Sequence, residues 1–157
     1  MQNVAPRTWL AGLGFLGFGL LASGFMLEYG FGVLPCPMCW WQRYAHAAIA
    51  GCAALGYWAN RPRIGAAGVV AAATAGLGVA AWQVAAQQGW LPYPPSCAGE
   101  DQVLVAGADL LSAMATTHVI PCDLETFRLL GFSLAAWNLP AMLLALGGAG
   151  VLLLKSR

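Results

Sequence analysis

Cys36 and Cys39 stand three residues apart in the stretch Pro35-Cys36-Pro37-Met38-Cys39-Trp40-Trp41-Gln42-Arg43. A pair at that spacing can close and open a disulfide with little backbone movement, which suits redox chemistry. Pro35 and Pro37 stop one helix and favour the start of another, because proline fits a helix's first turn. Cys39 then falls in that first turn, where unpaired N–H groups and the dipole's positive end favour a thiolate. Arg43 is four residues on and shares a helical face with Cys39, one turn deeper. A thiolate, a fixed cation and a hydrophobic setting make a site for redox chemistry with a lipid-soluble partner.

The elements that must hold this site are apolar. Of the 157 residues, 60% are hydrophobic and 8% are charged, whereas soluble domains carry about 25% charged residues. The chain therefore reads as a single polytopic membrane domain rather than a soluble globule. Its net charge of +1 argues against nucleic-acid binding. Residues 9–26 form an apolar run of roughly 27 Å as helix, enough to cross a bilayer core and long for a cleaved signal peptide. Further helices are expected at about 39–59, 64–86 and 129–154. The expected fold is an all-α bundle of four transmembrane helices, with loops at 27–38 and 87–128. In the third helix Gly68, Ala72, Gly76 and Ala80 recur every four residues, a seam for close helix packing. Residues 103–117 have a helical apolar pattern, consistent with a short amphipathic surface helix or with core packing. Pro140 is expected to kink the fourth helix, and Asn138 within it needs a polar partner.

Charge orients the bundle. Arg7, Arg61, Arg63, Lys155 and Arg157 fall on one side. All six acids, Glu28, Glu100, Asp101, Asp109, Asp123 and Glu125, fall on the other. The positive-inside rule then puts both termini in the cytoplasm. Cys36, Cys39, Cys97 and Cys122 are left at or beyond the outer surface, which in a bacterium is the oxidising side. They form two natural pairs, one vicinal and one 25 residues apart. The plainest reading of Cys97 and Cys122 is a structural disulfide, with a loop-closure gain on the order of 3 kcal/mol. A Cys₃His zinc site would have to use His118 at an unusual spacing, and no metal is expected. Cys52 lies in mid-membrane and reads as an inert thiol. His46, seven residues beyond Cys39, reads first as a packed histidine and second as a proton carrier. Arg43 is a cation on the wrong side of the charge rule, either an anchor snorkelling outward or a functional group; the functional reading is preferred.

Taken together, these residues resemble the DsbB family of bacterial inner-membrane disulfide-bond formation proteins. The likeness rests on four helices, Cys36-Pro-Met-Cys39 opening the second, Trp-Gln-Arg43 after it, and Cys97 and Cys122 in the second outer loop. Gly131-Phe-Ser-Leu-Ala-Ala-Trp-Asn138 is also similar to the family's entry into its fourth helix. The resemblance implies a thiol:quinone oxidoreductase that reoxidises a periplasmic, DsbA-like thioredoxin-fold oxidase. It implies that Cys97 forms the mixed disulfide with that partner and that Cys122 exchanges with Cys36. Cys39 would face the quinone, ubiquinone or menaquinone, and Arg43 would hold it and favour the thiolate. Some members have a quinone-linked histidine late in the third helix. Here the stretch is Ala81-Trp82-Gln83-Val84, so that role passes to Gln83 or is absent. Two rivals are a vitamin K epoxide reductase-like protein, whose loop pair precedes its membrane pair, and a four-helix scaffold with two static disulfides.

Overall fold

A computed structural model describes residues 6–97, 122 and 127–155. The expected surface helix at 103–117, His118 and the acids other than Glu28 lie outside these residues. Within them the chain is an all-α membrane protein. Helix α1 runs Pro6–Phe31, α2 Pro37–Trp58, α3 Pro62–Gln87 and α4 Leu134–Lys155. Prolines open α1, α2 and α3, where the missing N–H and fixed φ cost nothing. α2 ends on Asn60, which takes φ of 54°, and Arg61 N–H returns to the Gly56 carbonyl. α3 ends the same way: Gly89 takes φ of 73°, and Trp90 N–H returns to the Ala85 carbonyl. Both are left-handed caps that satisfy the last carbonyls of a helix.

Two boundaries lie five residues from the sequence reading, the end of α1 and the start of the fourth helix. Glu28, placed there in the loop 27–38, lies in the last turns of α1. The fourth helix, expected from 129, begins at Leu134. Arg128–Leu129 and Phe132–Ser133 instead pair as a two-stranded antiparallel hairpin, β1 and β2, in the register Leu129 to Phe132. Leu130 and Gly131 turn between them with φ of 53° and 86°, the positive pair a two-residue turn requires. Ser133 then caps α4, its Oγ accepting from Ala136 N–H at 3.2 Å. Pro140 sits inside α4 without ending it.

Short turns make α1, α2 and α3 successively antiparallel, and Ser133 Oγ donates to Gln87 Oε1 at 2.8 Å, which sets the start of α4 beside the end of α3. The end of α1, the start of α2, the end of α3 and the start of α4 therefore share one end of the bundle. α2 packs against α1 and α3, and α4 against α3 and α1. Leu10, Leu13, Ile49, Val69, Met142 and Leu152 form the core with small alanines between them. The backbones come close because glycine permits it. A Cβ on Gly56 would lie 2.6 Å from Gly65 Cα, and one on Gly76 would lie 2.8 Å from Met142 Sδ. The small-residue seam of α3 thus serves packing: Gly68 meets Cys52, Gly76 meets Ala45 and Met142, and Ala80 is fully buried.

The outer surface is apolar. Phe15, Phe18, Leu55, Leu144 and Leu154 are each more than 60% exposed, a distribution that suits lipid rather than water. α1, α3 and α4 are long and apolar enough to cross a membrane. The 26 residues of α1 and α3 reach roughly 39 Å and the 22 of α4 roughly 33 Å. α2 has the same 22-residue length as α4 but carries Gln42, Arg43 and His46.

Candidate functional site: two cysteine pairs at one end of the bundle

The site is built on the first turn of α2. Cys36 is its N-cap, held extended at φ −77° and ψ 166°, and its Sγ accepts from Cys39 N–H at 3.3 Å. That contact satisfies one of the orphan amides of the helix start. It also brings the two sulfurs to 2.8 Å. Cys36 is buried and Cys39 half-buried. The hydrogen bond to Cys39 and burial push the Cys36 thiol up.

The second pair is drawn to the same place. Cys97 ends a 3₁₀ turn, Pro95–Cys97, and is joined by a disulfide to Cys122, with Cα atoms 5.2 Å apart. Trp82 Nε1–H holds the approach to that turn by donating to the Pro92 carbonyl at 2.9 Å. Cys36, Met38, Cys97 and Cys122 form one buried cluster, and Cys39 and Val79 pack against it. Cys36 and Cys97, 61 positions apart in sequence, thus meet around the cap of α2. Cys52 stands apart from all of this, against Gly68.

Arg43 has partners that the sequence reading did not name. Its guanidinium points to α1, where Nη1 pairs with the Glu28 carboxylate and Nη2 donates to the Gly24 carbonyl at 2.8 Å. Its guanidinium carbon also lies 4.7 Å from the Phe25 centroid and 4.8 Å from that of Trp40, within cation–π range of both rings. Gly24 leaves the space, since a Cβ there would stand 3.3 Å from Arg43 Nε. The cation is 8% exposed, so it is neither a snorkelling anchor nor an unpaired charge. Reading Glu28 as a loop residue hid its partner. A carboxylate fifteen residues before a cation, across one tight turn, was the available signal.

Sequence reasoning named Gln83 only as a stand-in for the family's quinone-linked histidine, and missed the amide chain beneath the sulfurs. Gln83 Nε2 donates to Cys36 Sγ at 3.4 Å and lies 3.7 Å from Cys39 Sγ. Gln83 Oε1 accepts from Gln42 Nε2 at 2.9 Å, and Gln42 Oε1 accepts from Asn138 Nδ2 at 2.8 Å. Asn138 Oδ1 meets His46 Nε2 at 2.9 Å. All four side chains are buried, none more than 7% exposed. The partner that Asn138 needed is thus Gln42 together with His46.

Phe25, Trp40 and Tyr44 are linked by ring contacts of 6.1 Å. Tyr44 is exposed at the apolar surface. A guanidinium has five N–H donors, of which Glu28 and Gly24 engage two nitrogens.

The family model described as "Disulfide bond formation protein DsbB" matches residues 6–152. A disulfide bond formation protein B of Aromatoleum aromaticum is 34% identical over 170 residues, covering 100% of this chain and 99% of that one. Another, of Verminephrobacter eiseniae, is 34% identical and covers 93% of this chain and 88% of its own. A third, of Marinobacter nauticus, is 33% identical, covering 83% and 82%. No solved structure gives a significant match.

Proposed function

We propose a function from one premise: the chain belongs to the DsbB family of disulfide bond formation proteins. It is a multi-pass membrane redox protein of disulfide formation. Our reading is that it is a thiol:quinone oxidoreductase of the bacterial inner membrane. It reoxidises a periplasmic, DsbA-like thioredoxin-fold oxidase and passes the electrons to the membrane quinone pool. α2 is the fourth span, both termini are cytoplasmic, and the cysteine end faces the periplasm. The observation that carries this reading is the single buried cluster that joins both cysteine pairs at the tip of an apolar bundle.

The steps are disulfide exchanges. A thiolate of the reduced partner attacks Cys97, and Cys122 leaves as a thiolate. The partner's second thiol releases the mixed bond, so the partner ends oxidised and Cys97 and Cys122 end reduced. Cys122 then attacks Cys36 of the Cys36–Cys39 disulfide, and Cys39 leaves as the thiolate. Cys97 closes the loop bridge again and Cys36 takes a proton. When the inner disulfide re-forms, Cys36 and Cys39 give up two electrons and the one proton on Cys36; the second proton, lost earlier when the exchanging thiols ionised, returns from water. A bound ubiquinone or menaquinone supplies the sink for both. Arg43 and the Phe25, Trp40 and Tyr44 rings would hold it beside Cys39. Cys39 suits the leaving and donating role because it sits in the first turn of α2, where the amide ends favour negative sulfur.

One observation favours the rival reading of a scaffold with static bridges: Cys97 and Cys122 are both fully buried. Thiol trapping under graded reductant separates the two. The relay predicts that both pairs open together and that mixed Cys36–Cys122 species accumulate. A loop bridge that stays closed after Cys36 and Cys39 are fully reduced supports the scaffold and refutes the relay.

A further inference from the structure

The buried amides beneath the cysteines all point one way. Each of Gln83, Gln42 and Asn138 presents its NH₂ toward the sulfur end and its carbonyl oxygen toward His46. Asn138 Oδ1 can only accept, so His46 Nε2 carries the hydrogen and donates to it. The lone pair is then on His46 Nδ1. Among the described residues, Nδ1 is the buried side-chain nitrogen or oxygen without a hydrogen-bond partner.

The three amide links cannot turn independently. Flipping Gln83 alone would put its Oε1 against the sulfurs and its NH₂ against the NH₂ of Gln42. Relieving that clash requires Gln42 and then Asn138 to flip, and His46 to move its hydrogen to Nδ1. The direction of the whole chain is therefore tied to the hydrogen on Nε2. With that hydrogen in place, the two N–H groups of Gln83 serve the two sulfurs. Arg43 supplies less than its formal charge here, because the Glu28 carboxylate closes an ion pair with it. A neutral N–H held in a low-dielectric site is an effective donor to an anion.

We propose that Gln83 is a donor that stabilises negative charge on the Cys36–Cys39 sulfurs, alongside the contact between the two sulfurs themselves, and that Gln42, Asn138 and His46 are positioning residues that keep its N–H groups aimed at them. This rests on the redox reading of the cysteine pair. Its test uses neither quinone nor partner, so its failure leaves the quinone reading standing, and loss of quinone reduction does not decide it.

The experiment measures the rate at which iodoacetamide alkylates Cys39 in the reduced protein, resolved by mass spectrometry in a Cys52→Ala background. Iodoacetamide reacts with the thiolate, so the rate reports how well negative sulfur is held. Gln83→Met keeps length and volume but removes the donor. Alkylation is expected to slow about tenfold, the factor by which hydrogen bonds to charged groups commonly act. Asn138→Leu touches neither sulfur but cuts the chain, and is expected to slow alkylation severalfold. A Gln83→Met protein that reacts at the parent rate overturns the proposal. An unchanged rate in Asn138→Leu, with Gln83→Met slowed, overturns the positioning role of Gln42, Asn138 and His46. If Gln83→Met does not fold, Asn138→Leu carries the test with the same expected result, and a parent rate there overturns the proposal.

Discussion

Arg43 and Glu28 define what a residue-level account must explain. A buried ion pair contributes little net stability when intact, yet breaking it by removing one partner is costly. Arg43→Ala should therefore lower stability by about 3 kcal/mol, while Arg43→Ala combined with Glu28→Gln should recover part of that loss. Unfolding in detergent measures both; a double variant less stable than the single would contradict the pairing. In function, Arg43→Ala should raise the apparent KM for quinone while exchange between the partner and Cys97–Cys122 keeps its rate. An unchanged KM would remove Arg43 from the acceptor's surroundings. The vicinal cysteines and Arg43 were legible in the sequence because their spacing within one helix is a matter of arithmetic. The contacts of Glu28 with Arg43 and of Gln83 with the sulfurs were not, because their relation to α2 depends on the rotation of α1 and α3 about their own axes. Nothing local to either stretch sets that rotation.

At the scale of elements, the close approach of α2 and α3 is the feature that brings Gln83 under Cys36. It depends on Gly56 and Gly65, whose Cα atoms face each other with no room for a methyl group. Gly56→Ala should cost about 1–3 kcal/mol and loosen the registry of α3 on α2. Gly78→Ala, with open space around its Cβ position, should be neutral or slightly stabilising. Thermal unfolding of the two variants checks this, and equal effects would contradict the seam. The helices themselves were legible from apolar runs punctuated by Pro37, Pro62 and the turn residues. The start of α4 was not. Leu129 to Phe132 is as apolar as the helix that follows, and only Gly131 and the Ser133 cap distinguish a hairpin from another helical turn. The small-residue pattern of α3 was read correctly as packing, because every fourth position on one face can only serve a neighbour lying along it.

For the whole molecule, an apolar exterior around a core containing buried glutamines, asparagine and histidine is the reverse of a water-soluble bundle. The reading that four helices cross the membrane has a direct consequence for its two ends. A cysteine introduced at Ala59, between α2 and α3, should react with a membrane-impermeant maleimide only after the cytoplasmic side is opened. One at Trp90, just beyond α3 and 76% exposed, should react from the periplasmic side of intact spheroplasts. Labelling of both from one side would refute the fourth span. The central claim, that Cys39 delivers the electrons of disulfide formation to a quinone, is tested most directly by quinone absorbance. Purified protein is mixed, without oxygen, with ubiquinone or menaquinone and reduced thioredoxin-fold oxidase. The account predicts one quinone reduced per partner disulfide formed in the parent protein, and none in Cys39→Ser, which should retain its helical content. Quinone reduction at the parent rate in Cys39→Ser would contradict it.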